Sequence, residues 1–189
     1  MGNASNGEYE KAHLAAVKML GLRMYSCKEL EDKLLAKGYE SGNIAKLIEE
    51  FRKCAYLDDV EYAKAYIRGS YLKFKGRMRI EHELAERGVA SEDIKAAFYE
   101  NDEDGAIESE GAGEFVRALE LARKALSQIS INSDAQDKNS TYKEKKRIRD
   151  KLIRKLSTKG FDASTTYKAV ETAVLEIYAK IQENDLNML

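Results

Sequence analysis

Three stretches of this chain align without a gap, and that repeat constrains the fold more than any other feature. They are ELEDKLLAKGYESGNIAKLIEEF from Glu29, RIEHELAERGVASEDIKAAFYE from Arg79 and DKLIRKLSTKGFDASTTYKAV from Asp150. Counted from the glycine in each (Gly38, Gly88, Gly160), Leu30, Ile80 and Leu152 stand eight before it, and Leu34, Leu84 and Leu156 four before. Residues four apart share one helix face. Lys37, Arg87 and Lys159 precede the glycines, which suits the negative end of a helix dipole. Glycine suits the left-handed residue just past a helix end, and that motif joins the position after it to one three inside the helix. The expected apolar pairs are Leu34 with Tyr39, Leu84 with Val89 and Leu156 with Phe161. Ser41 and Ser91 then offer N-caps for the following helix, with Asp162 or Ser164 in the third copy.

A further helix precedes each copy. Its apolar residues are Ala12, Ala15, Ala16, Met19 and Leu20 in the first and Ala63, Ile67, Tyr71 and Phe74 in the second. In the third they are Phe115, Leu119, Ala122, Leu126 and Ile129. Ser26 with Glu29 reads as a capping box, and Asp58 with Glu61 opens the second unit. The chain has no proline, where the usual frequency of about 5% would give roughly nine. The expected fold is all-α: an elongated array of tandem three-helix, helix-turn-helix-like repeats. The repeats occupy residues 9–56, 57–100 and 112–183. Residues 1–8 read as a disordered tail, 101–111 as an acidic hinge and 130–141 as a polar loop inside the third repeat. Residues 96 to 116 hold seven acids and no Lys or Arg, with Gly105, Gly111 and Gly113 interspersed.

Lys plus Arg is 32 against 33 for Asp plus Glu, a net charge of -1, so nucleic-acid binding would need a local basic patch. Cys27 and Cys54 form no CxxC pair, which points to a reducing compartment, the cytoplasm. No apolar run reaches the roughly 18 residues of a membrane helix, and the N-terminus lacks a secretory stretch. His13 and His82 have no metal-ligand partner at a suitable spacing. Phosphate-binding glycine loops and nucleophile elbows are missing. No cofactor, metal site or catalytic residue is expected. A helix start could lower the Cys27 thiol pKa, but a packed structural cysteine is the simpler reading.

Two basic segments remain. Lys73, Lys75, Arg77 and Arg79 surround Gly76 between the first and second helices of the second repeat. In the third repeat, Lys143, Lys145, Lys146, Arg147, Arg149, Lys151, Arg154, Lys155 and Lys159 oppose only Glu144 and Asp150. With Ile148, Leu152 and Leu156 facing inward, Lys143, Arg147, Lys151 and Arg154 form a row along one flank. Such a row can follow a phosphate backbone or an acidic protein face.

The segment AYLDDVEYAKAYIR (Ala55 to Arg68) and the element KGRMRI (Lys75 to Ile80) resemble the RecX family, bacterial regulators of the RecA recombinase. The Tyr25-Ser26 helix start and the basic-glycine-aromatic turns at Gly38 and Gly160 fit it too. Ala55 stands where the family usually has glycine. Asp58 or Asp59 is expected to cap a helix, and Tyr56 and Leu57 to plug the seam between the first two repeats. The resemblance implies a monomeric, non-enzymatic protein of DNA repair, recombination and the SOS response. It would bind the RecA–single-stranded DNA filament along its groove and inhibit ATP hydrolysis, strand exchange and co-protease action. Lys73, Lys75, Arg77, Arg79, Lys143, Lys146, Arg147, Lys151 and Arg154 would face DNA or recombinase. A stand-alone helical DNA binder and a helical scaffold for an unrelated protein are the alternatives.

Overall fold

The computed structural model describes residues 2–104, 112–129 and 138–186. These form nine helices and, among the described residues, no strand: α1 (Gly2–Leu20), α2 (Cys27–Ala36), α3 (Ser41–Lys53), α4 (Asp59–Tyr71), α5 (Arg77–Glu86), α6 (Ser91–Asp104), α7 (Ala112–Leu126), α8 (Lys138–Thr158) and α9 (Ala163–Leu186). The chain divides into two compact units. Unit 1 holds Met1–Gly69 and Glu81–Asp104; unit 2 holds Ser70–Ile80 and Gly105–Leu189.

The repeated turn forms as its sequence dictates. Gly38, Gly88 and Gly160 have φ of 86°, 74° and 85°. At each, the next amide donates to the carbonyl five residues back: Tyr39 to Leu34 (3.3 Å), Val89 to Leu84 (3.2 Å) and Phe161 to Leu156 (3.3 Å). The glycine amides donate to Leu35, Ala85 and Ser157, each at 2.9 Å. This pair of bonds is the Schellman motif. Leu34, Leu84 and Leu156 are fully buried, as are Leu30, Ile80 and Leu152. Two more turns use the same bonds without glycine. Tyr56 donates to Phe51 and Lys75 to Ser70, with Ala55 at φ 56° and Phe74 at φ 53° in the left-handed position.

Unit 1 packs Leu30, Leu34, Ile44, Leu47, Phe51 and Leu57 around Ala16 of α1. Ser26 caps α2 by accepting from the Glu29 amide at 3.1 Å. The Glu29 carboxylate does not close the box; it accepts from Arg23 Nη1 and the Tyr62 hydroxyl, both at 3.1 Å. Ser41 and Ser91 are the first residues of α3 and α6 rather than their caps. The glycine turn feeds each helix directly, and the Glu40 and Ala90 carbonyls already accept the first helical bonds, from Ile44 and Ile94. The tail reading is also revised: α1 begins at Gly2. Glu8 accepts from the Glu40 amide at 2.9 Å, and the Tyr9 hydroxyl bonds Glu50, which pushes the phenol up to about 12.

Unit 2 gathers Leu119, Ala122, Leu126, Ile148, Leu152, Leu156, Phe161, Val170 and Val174 into one core. Asp162 caps α9, accepting from the Thr165 amide at 3.0 Å, and those bonds hold its carboxyl below the ordinary value. Helix α8 has 21 residues against 10 in each of α2 and α5, and α9 has 24 against 13 in α3. The added turns meet where Lys145 lies over the Tyr178 ring at 4.3 Å, next to the Arg149–Glu171 pair (2.5 and 2.9 Å) in the part shared with the shorter helices. Lys138 to Thr141 are therefore helical, inside the stretch expected as loop. Most of the expected acidic hinge, 105–111, and of that loop, 130–137, lies outside the described residues; residues 101–104 close α6.

Candidate basic interface in unit 2

Unit 2 brings the two basic segments together. The turn after α4 enters it through Phe74, whose ring packs against the unit 2 core and lies 5.7 Å from Lys124 Nζ. At Gly76 the backbones meet: its amide donates to the Lys159 carbonyl at 2.8 Å. A Cβ on Gly76 would lie 2.3 Å from the Gly160 backbone, and one on Gly160 would lie 2.2 Å from Arg79 Cβ. Lys159 Nζ donates to the Lys73 carbonyl at 3.1 Å, and Arg79 Nη1 donates to the Thr158 carbonyl at 3.0 Å. That last bond places a guanidinium on the negative end of α8. Half-buried Glu114 accepts from the Arg77 amide at 2.9 Å, so α7 supplies the cap of α5. Burial pushes the Glu114 carboxyl up, against the pull of the Arg77 amide.

Along α8, Ile148, Leu152 and Leu156 face the core as the spacing predicts. Lys143, Lys146, Lys151, Arg154 and Lys155 are exposed and carry no ion pair among the described residues. Lys143 to Arg154 spans about 16 Å at 1.5 Å per residue. Arg147 is different: Glu144 grips it in a fork at 2.6 and 2.8 Å, and the guanidinium holds the Glu144 carboxyl below its ordinary value. Arg149 is likewise taken by Glu171 and Lys145 by Tyr178. Neutralised partners weaken a charge row, so five of the nine cations can act freely. On the turn, Lys73 is exposed, while Lys75 and Arg77 are half-buried.

The aspartate pair divides its work in unit 1. Asp58 caps α4, accepting from Val60 and Glu61 amides at 2.9 and 3.1 Å. Asp59 reaches the start of α2 and accepts from the Cys27 amide at 2.9 Å. Leu57 is buried, but Tyr56 does not plug a seam: it is 71% exposed, its ring edge-on to Phe51 at 5.8 Å. The Cys27 thiol follows the structural reading. Burial, with Asp59 adding in the same direction, pushes it up to about 12, so the helix start does not activate it. His82 is exposed beside Glu86 at 3.4 Å, and half-buried His13 lies edge-on to Phe51 at 5.2 Å. No cluster of three or more His, Cys, Asp or Glu among the described residues could hold a metal ion. No helix of the described residues is long and apolar enough to cross a membrane.

Sequence models of the RecX first and second three-helix domains match residues 12–51 and 58–97. Regulatory protein RecX of Clostridium botulinum (strain Eklund 17B / Type B) is 31% identical over 169 residues, covering 89% of this chain and 71% of that protein. The chain belongs to the RecX family. Regulatory protein RecX of C. botulinum strain Alaska E43 is 30% identical, over 87% of this chain and 69% of its own. The crystal structure of RecX from Lactobacillus salivarius shares the fold, with a TM-score of 0.69 at 20% identity over 90% of this chain and 99% of that one. The two C. botulinum relatives are named as regulatory proteins. Both matched RecX domains precede α8, whose basic row lies outside them.

Sequence reasoning found the cations but missed what holds them in place. Phe74, Glu114 and the Gly76–Gly160 contact carried no signal of their own. One was available: Ser26 and Gly76 both stand 12 residues before a turn glycine. Ser26 is fully buried and its hydroxyl donates to the Arg87 carbonyl at 2.6 Å, the unit 1 counterpart of the Gly76 bond.

Proposed function

We propose that this RecX-family chain is a non-enzymatic regulator of the RecA recombinase. It binds the RecA–single-stranded DNA filament along its groove and inhibits ATP hydrolysis, strand exchange and co-protease action. Three modules, residues 9–56, 57–100 and 112–183, share the work. Lys73, Lys75, Arg77 and Arg79 with Lys143, Lys146, Lys151 and Arg154 face DNA or an acidic recombinase surface. Arg147 contributes less, because Glu144 already takes its charge. The observation that carries this reading is the junction at Gly76 and Gly160. It brings the turn that carries one basic segment against the C-terminal end of the helix that carries the other, about 70 residues away in sequence, inside unit 2. Modest contacts spread over several linked modules add through effective concentration.

The test is DNA-dependent RecA ATPase with and without the protein. Inhibition by the native chain is expected, weakened about tenfold or more in Lys143→Glu/Lys151→Glu/Arg154→Glu. Thermal unfolding of that variant should be unchanged, since all three side chains are exposed. An ATPase indifferent to the native chain would favour a scaffold for another protein. Tight, salt-sensitive binding to bare DNA without any effect on RecA would favour a stand-alone DNA binder.

A further inference from the structure

The first two helix triplets display the same side chain at the same place. Leu22 and Leu72 each stand 16 residues before a turn glycine, Gly38 and Gly88. Each lies in the turn between the first and second helix of its triplet, and each is 84% exposed. Each is followed by a cation, Arg23 or Lys73. A single exposed leucine needs no explanation. Two in the same register and at the same exposure do need one, and neither leucine belongs to a core cluster. The corresponding position in the third triplet is Glu144, inside α8.

Both leucines stand on backbone that is held on either side. The Leu22 amide donates to Met19 at 3.0 Å, and four residues later Ser26 is bonded to Arg87. The Lys73 amide donates to Ser70 at 3.0 Å, and Gly76 is bonded to Lys159. Arg23 folds back, its Nη1 donating to the Met24 carbonyl at 2.7 Å and to Glu29. Lys73 extends into solvent. A rigid apolar tip loses little freedom on docking.

We infer that Leu22 and Leu72 are equivalent protein-docking anchors, each seated in an apolar socket on a subunit of a filamentous partner built from identical subunits. The inference rests on the recombinase reading above, which supplies such a filament. A phosphate backbone offers a leucine nothing, whereas an apolar centre with a polar rim is the anatomy of a protein–protein interface. Two equivalent anchors call for two equivalent sockets, and a polymer of one subunit provides them.

The experiment compares native chain, Leu22→Ser, Leu72→Ser and the double variant. Binding is followed by anisotropy of labelled protein on RecA filaments assembled on poly(dT) with a slowly hydrolysed ATP analogue, and on bare poly(dT). Each single change should weaken filament binding about tenfold, and the double change about a hundredfold. Binding to bare poly(dT) should not change. Leu22→Met/Leu72→Met should restore filament binding. Leu22→Gln/Leu72→Gln keeps side-chain bulk and reads the same loss should the serine variants unfold. Filament binding by the native chain that the double and glutamine variants retain would overturn the anchors alone. Equal losses on bare poly(dT) would also overturn them, because the leucines would then be wedged against bases. Failure of the native chain to bind filaments at all would defeat the recombinase reading itself.

Discussion

The Gly88 turn of unit 1 and the Gly160 turn of unit 2 receive the same kind of neighbour and hold it with different groups. In both, the start of a second helix lies against the glycine. At Gly88 the Ser26 hydroxyl donates to the Arg87 carbonyl; at Gly160 the Gly76 amide donates to the Lys159 carbonyl. Lys28 Cβ would lie 2.3 Å from a Cβ on Gly88, and Arg79 Cβ 2.2 Å from one on Gly160. Each docked helix start is capped by a carboxylate from the helix that follows its triplet, Asp59 for Cys27 and Glu114 for Arg77. Gly38 has the same backbone and nothing within 4 Å of its missing Cβ. The same local motif therefore serves as a plain turn once and as a docking surface twice. Space for a neighbour, not the turn itself, separates the roles.

Alanine at the three glycines separates these roles most sharply. At Gly38 the cost is that of a left-handed alanine, about 1–2 kcal/mol. At Gly160 a clash with Arg79, including its backbone, comes on top and brings the loss to about 3 kcal/mol or more. Gly88→Ala should fall between them, because Lys28 presents only side-chain atoms. Urea midpoints of the three variants measure the order. Equal losses would mean that the docking contacts contribute nothing beyond the turn.

That order also marks how far the sequence could be read. Turn, pairing and buried face were legible because each is set within about a dozen residues: glycine for the positive φ, leucines four apart for the face. The docked partners were not, since Ser26 meets Arg87 across 61 positions and Gly76 meets Lys159 across a longer gap. Ser41 and Ser91 looked like caps because serine caps helices, but the glycine turn left them one residue too far in. The α8 extension was hidden because a Lys-rich solvated face reads the same in a helix as in a loop. Helix position then decided which cations are free: Glu144 takes Arg147, three residues on, while Lys151 and Arg154 have no such partner.

The two docking carboxylates give a second test, of smaller size. Asp59→Asn should cost about 1 kcal/mol, as for other lost helix-start caps. Glu114 differs because burial has raised its pKa above the ordinary 4.5. Between that value and its folded pKa, the folded chain keeps a proton that the unfolded chain has lost. Its contribution is fully present below 4.5 and is lost as pH rises through the folded pKa. Glu114→Gln keeps an acceptor for the Arg77 amide and removes the buried charge. Stability of this variant relative to the native chain should therefore be higher at pH 7 than at pH 5. Parallel stability–pH curves would show that the carboxyl is not desolvated in the fold.

The smallest effect comes from the two Schellman turns that lack glycine. Ala55 and Phe74 hold φ of 56° and 53°, each at the cost of a side chain in the left-handed region. Ala55 is exposed, so Ala55→Gly relieves the strain and gives up almost no packing. After the greater freedom of glycine in the unfolded chain is set against it, a gain of about 0.5–1 kcal/mol remains. Phe74 packs on the unit 2 core, so Phe74→Gly relieves the same strain but empties that contact. Its sign should reverse, a loss of about 1 kcal/mol for a half-buried ring. Under the proposed function it should also weaken filament inhibition, because the ring anchors the turn that carries Lys73, Lys75, Arg77 and Arg79. Denaturation midpoints that rise in both variants would mean that the ring contributes no anchorage, and that the Gly76–Gly160 contact alone holds the basic turn.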